Sequence, residues 1–174
     1  MDSGRVYIGI DPGSAGFIAV MYANGMKDFL SIKDAGYAKI VDFLKGIIFA
    51  SDCNVVCCME EVHAILGSSA KSTFAFGKIN GILIGILTAL GIPYHLVQPK
   101  IWQGEIWINQ DKEYKSKCTN GKTLRRIDTK KTSLNAGKRL FPRIDFRRTE
   151  KCKDDDDNKC DALLICEYGR RKGL

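Results

Sequence analysis

The chain has 174 residues, 45% of them hydrophobic, four prolines and a net charge of +7. That length suits one domain with a sizeable core and is too short for two lobes, and the composition excludes a disordered chain. The charge is uneven: residues 112–148 hold thirteen Lys and Arg against three acids, whereas Asp154–Asp157 form a run of four carboxylates.

Seven cysteines, at 53, 57, 58, 118, 152, 160 and 166, make an odd number with no CxxC pair, and there are only two histidines. This pattern implies free thiols in a reducing intracellular compartment such as the cytoplasm, rather than a disulfide framework or a zinc site. The N-terminus lacks the basic start, apolar stretch and cleavage site of a signal peptide. The longest apolar stretch, residues 81–93, is too short to span a bilayer, so no membrane partner is expected.

Residues 5–10, 16–22 and 26–32 read as three short strands with tight turns. Asn24-Gly25 is a hairpin signal between the second and third. The first strand runs into IGIDPGSAG, residues 8–16. Asp11 stands at its end, where a rigid sheet can position a carboxylate for metal and glycines can let a phosphate approach. An ordinary hairpin with Asp as a turn residue is the plain alternative.

Residues 37–50 carry apolar positions at spacings of three and four and predict a helix. The run Val55–Met59 is continuously apolar, as in a strand buried on both faces, and ends on Glu60 and Glu61. If this strand lies parallel to the first, Glu60 neighbours Asp11. Alternation lets only one of Glu60 and Glu61 join it. Cys57 and Cys58 would face opposite sides.

Residues 71–91 predict a long helix with Gly77, Gly81 and Gly85 on one face. Such a flat face serves either close packing within the subunit or a seam between two copies. PYHLVQP, residues 93–99, reads as a strand. Residues 109–128 read as a long, basic loop insertion with Asn120-Gly121 inside it. Residues 129–141 predict an amphipathic helix stopped by Pro142.

The last segment is a helix that starts near the Asp run. A helix N-terminus favours negative charge, which accounts for Asp154 to Asp156. It does not account for Asp161, four residues after Asp157 and inside the helix beside its apolar positions. A basic stretch to hold a phosphate backbone, with separate acids to hold metal, suits a nuclease. The plain alternative is a solvated basic loop.

Taken together, these segments resemble the RuvC family of Holliday junction resolvases, in the RNase H-like nuclease superfamily. IGIDPGSAG looks like the family's first-strand motif and VVCCMEEVHA like its strand ending in the catalytic Glu. FGKINGILIGIL looks like its glycine-bearing interface helix, and DNKCDALLICEYG like its last motif. The resemblance covers nearly the whole chain in order and leans towards viral, phage or organellar relatives. It implies an α/β fold with a mixed central sheet flanked by helices, occupying residues 1–174 as a single domain.

The resemblance also implies a site. Asp11, Glu60, Asp157 and Asp161 would be catalytic and would ligate two Mg2+ ions, with Mn2+ able to substitute. The bacterial pattern has an acid or His three residues before the last Asp, where this chain has Asn158. Relatives with an acid four residues before point to Asp157, with Asp154 and Asp156 as alternatives. His63 falls where some relatives carry an aromatic residue that probes the junction centre. Lys78, Lys100, Lys122, Arg125, Arg126, Lys130, Lys131 and Lys138 are the remaining DNA-binding candidates. Lys131 is also the candidate to steady the transition state.

The implied activity is Mg-dependent cleavage of four-way junction DNA by a homodimer making paired cuts with 5′-phosphate products. No nucleotide cofactor is expected. Three rival readings remain: an actin-like or sugar-kinase ATPase, a non-catalytic nucleic-acid-binding module, and an RNase H-like nuclease for other branched DNA or RNA–DNA hybrids. Against the first, the chain lacks a second Gly-rich nucleotide loop. The retained acids argue against the second.

Overall fold

The computed structural model describes residues 4–51, 54–61, 69–119 and 122–174. Its centre is a five-stranded mixed sheet in the order β3-β2-β1-β4-β5. β1 (Val6–Asp11), β2 (Phe17–Met21) and β3 (Lys27–Ser31) form the expected antiparallel meander. At its second turn Gly25 adopts φ +84°, and Asn24 Oδ1 accepts from the Met26 N–H at 2.9 Å. β4 (Val55–Glu60) and β5 (Tyr94–Val97) then add parallel strands beside β1.

The sheet is covered on both faces. Val6, Ile8, Ile10, Val55, Cys57 and Met59 belong to one core, closed by α1 (Ile32–Ala50) and α2 (Ala70–Ala89). Tyr7, Val56 and Cys58 belong to the other, closed by α3 (Pro99–Ile106), α4 (Thr129–Leu140) and α5 (Asp157–Lys172). The strand alternation thus divides Cys57 from Cys58 as their sequence positions imply.

Three segments differ from the sequence reading. α1 begins five residues before the expected start, with a kink at Gly36, whose φ of 71° interrupts the helix. The segment 109–128 is not a loop. A 3-10 turn at Asn109–Asp111 leads into an antiparallel ribbon of β6 (Tyr114–Thr119) and β7 (Lys122–Ile127). Its polar sequence hides the pairing, because neither face carries an apolar row. α3 has no counterpart in the sequence reading. It opens with Pro99 in its first turn and buries Trp102 and Ile106 completely.

α2 also departs from expectation. By length and composition the whole helix is long and apolar enough to cross a membrane, although the run 81–93 is not. Leu83 and Leu87 anchor it in the α1-side core. Gly77, Gly81 and Gly85 are exposed: among the described residues, a Cβ on any of them would meet nothing within 4 Å. Packing among the described residues therefore does not explain these glycines.

Candidate active site

Asp11 ends β1 on the α5 side of the sheet, in alternation with Tyr7 and Gly9. Glu60 ends β4 on the same side, in alternation with Val56 and Cys58. The parallel register pairs Ile10 with Met59, so the two carboxylates follow side by side. Glu61 falls on the opposite alternation. Trp102 Nε1 donates to Glu60 Oε1 at 2.9 Å, tying α3 to the end of β4.

α5 supplies the other acids because it lies directly on β1. A Cβ at Gly9 would sit 2.1 Å from the Ala162 carbonyl oxygen and 2.4 Å from Cys166 N. Only glycine permits that approach. Gly16 is similarly committed: a Cβ there would lie 2.0 Å from the Asp11 carbonyl oxygen. These two glycines of the IGIDPGSAG segment therefore serve the chain's own packing; at Gly13 a Cβ would make only ordinary contacts, the nearest at 3.6 Å.

The run at 154–157 divides by role. Asp154 is exposed. Asp155 pairs with Lys138 at 2.7 Å. Asp156 caps α5: its Oδ1 accepts from the Asn158 and Lys159 N–H groups, and its Oδ2 from Arg148 Nε at 2.7 Å. Asp157 carries an ion pair with Lys130 Nζ at 2.8 Å.

The electrostatics bind these acids into one group. Burial raises the Asp11 carboxyl well above its ordinary range, and the charges of Asp161, Glu60, Asp157 and Asp156 push it further. Burial likewise pushes Asp161 up to about 7; Ser133 and Lys130 oppose the rise, and Glu60 and Asp157 add to it. Burial raises Glu60, with the Trp102 N–H acting in the other direction. Asp161 Oδ1 is buried without a hydrogen-bond partner.

Among the described residues, no three acids, histidines or cysteines are already drawn around one point as metal ligands. Glu60 and Asp157 are held by Trp102 and Lys130, and the acids repel one another. In chemistry, however, the group fits a hard divalent cation. Its donors are all carboxylate oxygens, their negative form is suppressed by burial and then by mutual repulsion, and one oxygen is orphaned. Asp11, Glu60, Asp157 and Asp161 are the residues that could hold such an ion.

The remaining candidates scatter. Lys78 on α2 and Lys100 on α3 are exposed. Lys130 and Lys138 on α4 face the acids, whereas Lys131 is exposed and gives its backbone N–H to Asp128. Lys130, not Lys131, is thus the α4 lysine paired with an acid of the group. Arg125 stacks over Tyr114 with 4.3 Å to the ring centroid. Arg126 is exposed on β7, the strand on which Lys122 also lies. His63 lies outside the described residues.

Arg148 had no signal in the sequence. Besides Asp156, its guanidinium donates to the Ser31 hydroxyl and the Ala15 carbonyl and stacks on Phe17. It fastens the turn after Asp11 to the start of α5.

By sequence, no family model and no curated protein matches this chain. By structure, Thermus thermophilus RuvC in complex with a Holliday junction substrate matches with a TM-score of 0.56 and 11% identity, over 97% of this chain and 96% of that one. A second Thermus thermophilus RuvC structure matches at 0.53 and 13%, over 97% of both chains. The chain has the RuvC fold. The yeast mitochondrial Holliday junction resolvase Ydc2 shares 14% identity over 94% of this chain and 77% of that one, with a TM-score of 0.49. Within the RuvC fold the mixed sheet and its flanking helices place Asp11, Glu60 and the start of α5 at one end of the parallel strands.

Proposed function

We propose that this protein is a metal-dependent endonuclease that resolves four-way DNA junctions. The observation that carries the reading is the convergence of Asp11, Glu60 and Asp161 on the β1–α5 face, with mutual repulsion that a cation would relieve. Among the described residues, Lys130 and the Trp102 N–H offset that repulsion only in part, since Asp11 and Asp161 stay raised.

Asp11, Glu60, Asp157 and Asp161 would hold two Mg2+ ions, with Mn2+ as a substitute. When bound, such ions supply an acidified water as nucleophile and neutralise charge on the leaving oxygen. The chain's own groups do the positioning. Trp102 orients Glu60. Asp157 lies in reach of Lys130, whose ammonium can turn to a DNA phosphate once the carboxylates have a cation. The same reading takes the open glycine face of α2 as the seam of a homodimer, which places two sites for paired cuts with 5′-phosphate ends.

The test is cleavage of end-labelled four-way junction, plain duplex, flap and RNA–DNA hybrid, in Mg2+ and in EDTA. Paired symmetric nicks in the junction alone, lost in EDTA, are expected. Hybrid or flap cutting without junction preference would retain the metal centre and discard resolution. Tight binding with no cutting in either Mg2+ or Mn2+ would discard the nuclease.

A further inference from the structure

The β6–β7 ribbon stands apart from both cores. Residues 114–127 contain five Lys and Arg and no acid. In its register Lys115 stands opposite Arg126. Directly opposed residues of an antiparallel pair share a face, so two exposed cations lie side by side. Such like-charge pairs work against the ribbon's own folding. Lys115 forms a solvent-exposed ion pair with Asp128 at 3.6 Å, at the base of the ribbon. Lys117 and Lys122 occupy further positions along the same strands. Tyr114 and Leu124 are each 47% exposed.

The base of the ribbon is fixed firmly. The Asp128 N–H donates to the Glu113 carbonyl at 2.8 Å. The Glu113 N–H donates to the buried Thr132 hydroxyl at 3.0 Å, and Asn135 Nδ2 donates to the Asp111 carbonyl. Asp128 also caps α4, whose Lys130 reaches Asp157. The ribbon is thus an arm rigidly joined to the helix that borders the carboxylate group.

We infer that this ribbon is a second DNA contact, which grips the duplex arm of the substrate away from the cut. The inference rests on the nucleic-acid reading above and names where the backbone is held. A two-stranded ribbon fits the major groove, and six-residue strands reach about 20 Å along it. A row of cations without acids complements a phosphate backbone, which relieves the Lys115–Arg126 conflict that the free protein bears. The exposed Leu124, on the same face as Lys115 and Arg126, suits contact with sugars and base edges.

The experiment measures binding in EDTA, where no cutting can intervene. Anisotropy titrations of labelled junction and of a duplex with the sequence of one arm are run over a range of salt. K115Q/R126Q is expected to lower affinity about tenfold or more and to make the salt dependence shallower by about two. The control K39Q/K45Q removes the same charge from exposed positions on α1 and is expected to change neither. In parallel, the unaltered protein is treated with an amine-reactive reagent, with Lys115 protected by duplex and Lys39 not.

Equal affinity for the two variants, or unprotected Lys115, overturns the inference. Protection by single strands but not duplex overturns the assignment to a duplex arm. A protein that binds through the ribbon but never cuts defeats the nuclease reading and leaves this one standing. A protein that cuts with Lys115 unprotected does the reverse.

Discussion

Trp102 and Glu60, forty-two positions apart, meet through one hydrogen bond of 2.9 Å. Trp102 is fully buried, so its indole is a fixed donor rather than a mobile one. Trp102→Phe keeps most of the packing and removes the donor. Expected are a loss of about 1–3 kcal/mol in urea unfolding and a cleavage rate reduced more than DNA affinity. Glu60→Gln keeps an acceptor and removes the charge, and is expected to cost far more in rate than in stability. Equal losses of rate in the two variants would deny Glu60 a charge-dependent role.

The carboxylate group sets a pH dependence of stability in the absence of metal. Asp161 titrates at about 7 in the folded chain, above its unfolded value of about 3.9. The folded state binds its proton more tightly, so stability is fully present below the unfolded value and is lost as pH rises towards and through 7. In EDTA the melting temperature is expected to fall between pH 5 and about 8. Asp161→Asn is expected to flatten that fall, by about 2–4 kcal/mol at the alkaline end. Adding Mg2+ or Mn2+ at pH 8 is expected to raise the melting temperature of the wild type and not of the variant. Calorimetry checks all three.

Asp11→Asn relieves the same repulsion. It is expected to raise metal-free stability while cleavage falls about a thousandfold or more, with junction binding retained. An unchanged cleavage rate in Mg2+ would remove Asp11 from the centre.

The opposite sign holds at Asp111. Burial would raise this carboxyl, but the Arg139 fork, at 2.7 and 2.8 Å, and the Ile108 N–H together hold it below its ordinary value. Its contribution is present above the unfolded value of about 3.9 and is lost as pH falls through the lower folded one. Asp111→Asn is expected to cost about 2–3 kcal/mol at neutral pH and less at pH 2, where the wild-type pair is itself broken. Denaturant melts at the two pH values measure the difference.

Gly9→Ala tests the seating of α5. The added methyl would overlap the Ala162 carbonyl and the Cys166 amide, both backbone. Neither can swing aside, so α5 must move off β1. A loss of about 1–3 kcal/mol is expected, together with weakened metal binding by calorimetry. Gly13→Ala, which meets nothing closer than 3.6 Å, is the matched control.

Much of this arrangement is legible in the sequence. Asp11 could be read because it ends a buried strand; strict alternation limited its neighbour to one of Glu60 and Glu61, and the family resemblance pointed to Glu60. Asp161 stood out because it lies beside apolar positions of a helix, where a solvated acid has no place. The ribbon was missed for the converse reason: strands without an apolar face have no periodic signal, and Asn120-Gly121 alone does not distinguish a hairpin from a loop. The Pro99 helix is too short for its period to show. Arg148 was invisible in principle, since its partners Ser31 and Ala15 lie 117 and 133 positions away. Spacing can show that glycines line one face of α2, but not whether that face is turned inward.

The order in which the acids occur along the chain has a consequence during synthesis. β1 and β4 emerge from the ribosome before α5. Until then Gly9 has no helix upon it, and the strand carboxylates lack Asp157, Asp161 and the Arg148 fastening. A chain stopped before α5 therefore carries the strand carboxylates Asp11 and Glu60 alone, without the helix that seats against Gly9.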